Sequence, residues 1–191
     1  MTSESLTLLK RLLVVIVITF GLMVLLTSLL TFAQTTPERE VEDKIPKHVP
    51  IKVKIRSEKE KAFKDLNNEK WLRDFELEIT NTSDKPIYLL ELWVIVPEVI
   101  SENGTRVGFP LRYGRADFIQ FETVATPDDI PIKPGEKYVY RIAENYLQGW
   151  EAHKGREYRQ QPRKIQIQLV QLSFGDGTGF QRRDGKPSSR Q

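Results

Sequence analysis

The sequence predicts a mainly β fold: an antiparallel immunoglobulin-like β-sandwich with one short inserted helix, preceded by an N-terminal membrane-spanning or signal helix. Three observations carry this expectation. Short stretches of period-two alternation recur between residues 51 and 174, turn clusters rich in Pro, Gly, Asn and Asp separate them, and an uncharged apolar run fills residues 12–33. The chain accordingly divides into a cytoplasmic flank (1–11), the apolar helix (12–33), an extended tether (34–50), the sandwich (51–175) and a flexible tail (176–191).

Between Arg11 and Glu38 no residue is charged. The run from Leu12 to Ala33, at about 1.5 Å per residue, makes about 33 Å of helix, enough for a hydrocarbon core about 30 Å thick. Two readings stay open. Its length favours a retained anchor, whereas Thr31-Phe32-Ala33 before Gln34 is a passable signal-peptide cleavage site. Lys10 and Arg11 sit directly before the run and favour a cytoplasmic N terminus. Arg39, Lys44, Lys47, Lys52 and Lys54 follow it, but they are interleaved with Glu38, Glu40, Glu42 and Asp43. The membrane is thus an expected partner through residues 12–33. The remainder is expected outside the cytoplasm, held at the cytoplasmic membrane, or secreted or periplasmic if cleavage follows Ala33.

Pro46 and Pro50 restrict the residues before them to extended geometry, which reads as the tether. Ile51, Val53 and Ile55 then alternate with Lys52, Lys54 and Arg56 as a strand with one wet face. Residues 57–71 are a charged loop with a helical turn, and Phe75, Leu77 and Ile79 form a second strand. The polar cluster 81–86 turns the chain into a very apolar strand, Ile87 to Val96, which Pro97 closes. Pro134-Gly135 precedes a strand with Tyr138, Tyr140 and Ile142. A helix follows from Ala143 or Glu144 to about Lys154, with Tyr146, Leu147 and Trp150 on one face. In the last strand Ile165, Ile167 and Leu169 are odd-numbered and Val170, Leu172 and Phe174 even-numbered, so a bulge is expected near Leu169-Val170.

The stretches REVEDKIPKHVPIKVKIR (39–56), FELEITNTSDKPIYLLELWVIVP (75–97), RYGRADFI (112–119), IPIKPGEKYVYRI (130–142) and FGDGTGF (174–180) resemble a family of uncharacterised secreted or anchored bacterial proteins. The resemblance covers most of residues 39–185. It implies export and a β-sandwich, and no activity. ITNTSDKPI and IKPGE are also similar to segments of many immunoglobulin-like accessory domains.

Composition narrows the chemistry. The 191 residues include no Cys and two His, which excludes thiolate nucleophiles, Cys-ligated zinc and iron–sulfur clusters. With 29 Lys and Arg against 26 Asp and Glu, global attraction to nucleic acid is not expected. His48 and His153 have no second ligand at useful spacing and read as solvated. Gly175-Asp176-Gly177-Thr178-Gly179 lacks the following helix that a phosphate loop needs and reads as a turn. Asp176 and Asp184 are an alternative calcium pair. No catalytic set, cofactor or metal is expected; a hydrolase using Asp117, or Asp128 and Asp129, is the remote alternative.

One face of residues 87–96, with Tyr88, Leu90, Leu92, Val94 and Val96, is core. The other, with Ile87, Leu89, Glu91, Trp93 and Ile95, is too apolar for open solvent. Either Tyr146, Leu147 and Trp150 cover it or a partner does. Lys154, Arg156, Arg159, Arg163 and Lys164, with Trp150 and Tyr158, form either a basic aromatic surface or a solvated connector. The candidate interaction surface is therefore Leu89, Trp93, Ile95, Trp150, Tyr158 and Arg159. The expected function is a non-catalytic protein-interaction module of the bacterial envelope. The alternative is a glycan or cell-wall binding module using Trp71, Trp150, Tyr158 and Arg159. Asn81 and Asn103 lie in N-x-[ST] sequons.

Overall fold

Branched and aromatic residues alternating with charged ones form strands wherever a neighbouring backbone takes up their N–H and C=O groups. In the computed structural model the described residues are Ile16, Thr19, 37–101, 103–153 and 161–189. Nine strands occur among them: β1 (Glu40–Asp43), β2 (Ile51–Ile55), β3 (Glu76–Asn81), β4 (Leu89–Ile100), β5 (Arg106–Tyr113), β6 (Lys137–Arg141), β7 (Lys164–Ser173), β8 (Thr178–Gln181) and β9 (Lys186–Ser189). The larger sheet has the order β5-β4-β7-β8-β9, antiparallel, with β1 added parallel to β7. The smaller is β2-β3-β6, antiparallel. The chain is mainly β.

Within the unit Met1–Pro37, Ile16 and Thr19 are helical and exposed, and the Thr19 hydroxyl donates to the Ile16 carbonyl at 3.0 Å. Among the described residues no helix is long and apolar enough to cross a membrane. The rest of the helix expected over 12–33, with its cleavage site, lies outside the described residues.

The unit from Glu38 onward has one main core. The larger sheet contributes Leu90, Leu92, Val94 and Val96 from β4 and Ile165, Ile167, Leu169 and Leu172 from β7. The smaller contributes Ile51, Ile55, Leu77, Ile79 and Tyr140. The Tyr140 hydroxyl donates to the Leu90 carbonyl at 2.7 Å, so its polar tip is satisfied where its ring is buried. The parity switch in β7 is a bulge at the expected place: Glu91 pairs with Gln171 and Leu92 with Leu169, which leaves Val170 extra.

Four expectations are corrected. Residues 38–50 are not a free tether. β1 pairs with Lys164–Ile167, Val49 is buried, and Arg39 is only 1% exposed. The Arg39 guanidinium lies 4.2 Å from the Trp71 ring centre. Its Nε donates to the Pro162 carbonyl at 2.9 Å and its Nη1 to the Phe63 carbonyl. Burial pushes this guanidinium down to about 10, but its stem and π-stack fix the segment in place. Residues 176–189 are not a loose tail either, because β8 and β9 extend the larger sheet. His48, expected to be solvated, is exposed as expected, and its Nε2 donates to the Gly185 carbonyl at 2.7 Å.

Pro97 does not close β4, which runs to Ile100. The β4–β5 register shifts between Val96 and Ile100, where a residue without an N–H is tolerated. Finally, there are two α-helices among the described residues, not one: α1 (Ser57–Lys64) and α2 (Glu144–His153). A 3-10 turn, Ala116–Ile119, packs against β4 and β7.

Candidate binding cleft

Residues paired across strands share a face, so the register maps the outer surface of the larger sheet row by row. Arg112, Glu91, Gln171 and Gln181 form one row across β5, β4, β7 and β8. Pro110, Trp93 and Gln168 form the next. Gly108, Ile95, Gln166 and Glu42 form the third, ending on β1. β7 changes partner along its length, with β1 beside Lys164–Ile167 and β8 beside Gln171–Ser173. Residues 168–170 lie in the gap, where the Arg182 N–H donates to the Val170 carbonyl at 2.9 Å.

A cleft of about 570 Å³ opens at this notch, lined by Glu91, Trp93, Gln168 to Gln171, Gln181, Arg182 and Arg183. Trp93 is 38% exposed, against 0% for Trp71 and 6% for Trp150. Glu91 is buried and Arg112 Nη2 donates to it at 2.9 Å, so the one carboxylate lining the cleft is already compensated. Gln171 donates to the Ile119 carbonyl at 2.7 Å, which fixes its amide. Arg182 and Arg183 are exposed, and no carboxylate pairs with either among the described residues. Arg182 holds φ = 65°, the one positive φ outside glycine among the described residues.

The smaller sheet presents the opposite arrangement. Glu76 on β3 accepts from Arg56 at 3.0 Å and Arg141 at 2.9 Å, while Glu78 meets Lys54 at 3.3 Å and Lys137 at 3.1 Å. Burial pushes the Glu76 carboxyl up, but hydrogen bonds from Arg141 and Arg56 outweigh it and hold it below its ordinary range. Lys137 and then Lys54 hold Glu78 down in the same way.

The sequence-predicted surface is split by the structure. Trp93 lines the cleft. Leu89 and Ile95 share its face but are 0% and 4% exposed. Tyr88 packs 5.8 Å from Phe118 of the 3-10 turn, and Ile95 lies across Gly108, whose absent Cβ would stand 2.7 Å from Ile95 Cδ1. Trp150 is on the other side of the sheet, 5.7 Å from both Trp71 and Phe109, so α2 covers the inner face and not the Trp93 face. Trp71 is core and is not a sugar platform. Tyr158 and Arg159, with Lys154 and Arg156, lie outside the described residues, as does the His153 side chain. Gln168, Gln171, Gln181, Arg182 and Arg183 were not anticipated. The signal for the first two was the Ile-Gln-Ile-Gln alternation in β7, continued across the bulge.

Other candidates resolve into structural roles. Asp176 accepts from the Thr178 N–H at 2.9 Å and from Lys85 at 2.7 Å within the β7–β8 turn, which turns both calcium and phosphate readings into a capped turn. Asp117 and Asp129 share Arg115, at 3.1 and 3.2 Å. The Thr126 backbone N–H, its hydroxyl and then Arg115 hold Asp129 low, opposite to what a general acid needs. Asn81 is fully buried with its amide donating to the Lys85 and Ile132 carbonyls, so its sequon is inaccessible in the fold. A second cavity of about 610 Å³ lies among β1, β2 and α1, with charges of both signs. Among the described residues no cluster of three or more His, Cys, Asp or Glu is placed to hold a metal.

The fold and cleft together define a mainly β protein with an open, amide- and arginine-rimmed tryptophan site on one sheet. No family model, curated protein or solved structure matches the chain.

Proposed function

We propose that this chain is a non-catalytic binding module of the bacterial envelope, an immunoglobulin-like β-sandwich held at the membrane by residues 12–33 or released after Ala33. Its contact surface is the cleft around Trp93. The observation that carries the reading is the pairing of a large exposed indole with two unpaired guanidinium groups, in a cleft that Gln168, Gln171 and Gln181 also line. An indole left 38% exposed on a central strand gives up burial that the other two tryptophans obtain, and such sites are where partners dock. The apolar N-terminal run and the resemblance to secreted bacterial proteins support the location. The partner is an envelope protein or a cell-wall glycan.

The test is a photo-crosslinking residue at position 110, beside Trp93 on the edge strand, in intact cells, with Lys52 on the smaller sheet as the control position. A specific product from position 110 that Lys52 does not give is the expected result. Absence of any product, or identical products from both positions, rejects the reading.

A further inference from the structure

We infer that the cleft takes an acidic polysaccharide, one sugar ring stacked on Trp93 and a carboxylate or phosphate group of the chain held by Arg182 and Arg183. This rests on the binding-module reading above and names its ligand.

Four features of the cleft lead to this class. First, it offers little free backbone. β4 and β7 use their N–H and C=O groups on each other along Leu89–Ile95, and the Val170 carbonyl at the bulge accepts from Arg182. A peptide adding as a strand needs a run of free backbone groups at a sheet edge, and the gap between β1 and β8 spans only residues 168–170. Second, Gln168 and Gln181 line the cleft with half-buried amides that both donate and accept and so match hydroxyl groups, while Gln171 is buried with its amide on Ile119. Third, Trp93 supplies a flat apolar surface of the kind that the C–H face of a pyranose covers.

Fourth, the charge is one-sided. Arg112 already compensates Glu91, and Glu42 in the adjoining row is paired with Lys44 and Lys164. The charges left without partners at the cleft are cationic. Arg182 is held in the left-handed region, where glycine is the ordinary occupant, and it lines the notch. A planar fork of donors suits a carboxylate or phosphate bidentately, and two adjacent forks suit a polymer that repeats its charge.

The experiment is calorimetric titration of the full chain, in non-ionic detergent, with polygalacturonate, neutral dextran and polyglutamate. Expected is saturable binding of polygalacturonate, at least tenfold weaker in Trp93→Ala and in an Arg182→Gly, Arg183→Ala double variant. Binding by the double variant should also depend less steeply on salt. Arg182→Gly suits the positive φ, and unchanged thermal unfolding verifies that the fold is kept. Equal binding of polyglutamate would move the site to an acidic protein partner and overturn the proposal. Equal binding of dextran would remove the arginines from it. A phosphate-bearing teichoic polymer binding in place of polygalacturonate keeps the acidic-glycan assignment and identifies phosphate as the anion. If no polysaccharide binds but position 110 still crosslinks in cells, the ligand class fails and the binding module stands. If neither occurs, both fail.

Discussion

The two sheets turn outer faces of different character to their surroundings. On the smaller, acidic β3 lies between basic β2 and β6, and each carboxylate of Glu76 and Glu78 is met from both sides. On the larger, the carboxylates are compensated while Arg182 and Arg183 are left over beside an exposed indole. A face whose charges satisfy one another gains little from a partner, since docking would desolvate pairs already made. A face with spare donors and uncovered aromatic surface gains from both. Under the proposed function, this difference gives a structural role to one sheet and a contact role to the other.

The sharpest way to break this contrast uses two neighbours on β4. Leu92 is fully buried and Trp93 is 38% exposed on the opposite side. Leu92→Ala is expected to destabilise the protein by about 2–5 kcal/mol in urea unfolding, through lost transfer energy and a cavity. Trp93→Ala is expected to stay within about 1 kcal/mol. Equal losses would make the Trp93 face a second core, and the cleft would cease to be a contact surface.

The ladder on the smaller sheet is tested next. Glu76→Gln removes the charge that Arg56 and Arg141 share. Both arginines are exposed enough to be rehydrated, so the expected cost is about 1–2 kcal/mol at pH 7 and smaller in high salt. No loss would mean that the pairs are incidental and that the contrast between the faces has no energetic content.

Acid should erode the same ladder. Glu76 and Glu78 titrate below their ordinary value of 4.5 in the folded protein, so the unfolded chain binds protons first as pH falls. Their stabilisation is complete above about pH 4.5 and is lost as pH drops through the folded values. Glu42, held down to about 2 by Lys44, Gln166 and Lys164, acts with the same sign on β1. Unfolding midpoints from pH 6 to pH 2 should fall in the parent and fall less in Glu76→Gln/Glu78→Gln.

How much of this was legible in the sequence depends on where each residue's constraint comes from. β2, β3, β4, β6 and β7 carry their own alternation, and the bulge at Val170 could be read from a parity switch. β1, β8 and β9 have no such pattern: EVED, TGFQ and KPSS become strands because β7 or its neighbour offers a ladder. β5 contains Gly108 and Pro110, which an edge strand accepts and a sequence pattern rejects. Trp93 was found because the second face of its strand, with Leu89 and Ile95, is too apolar for open solvent. Arg182 and Arg183 were not, because their position depends on a hairpin built from residues that look like a tail. Trp71 and Trp150 lie in charged surroundings along the chain, and only the packing shows that they meet each other.

Gly108 offers the smallest and most local test. It faces Ile95 and Trp93 from the edge strand, and an added Cβ would come 2.7 Å from Ile95 Cδ1 and 2.9 Å from Trp93 Cε3. Its φ is outside the positive region, so alanine meets no backbone penalty there. The atoms in the way are the end of an isoleucine and the edge of an indole with solvent on one side, and both can give. Gly108→Ala is therefore expected to cost about 1 kcal/mol or less, compared with the larger penalties of overpacking a closed core. Its main effect should be to tilt the Trp93 ring, seen as a shift in that indole's fluorescence and at least a threefold loss of polygalacturonate binding. If stability falls by several kcal/mol instead, the indole has no freedom to move and its exposed edge is part of a rigid wall. If neither fluorescence nor binding changes, ligand contact does not depend on the orientation of Trp93, and the stacking role assigned to it is wrong.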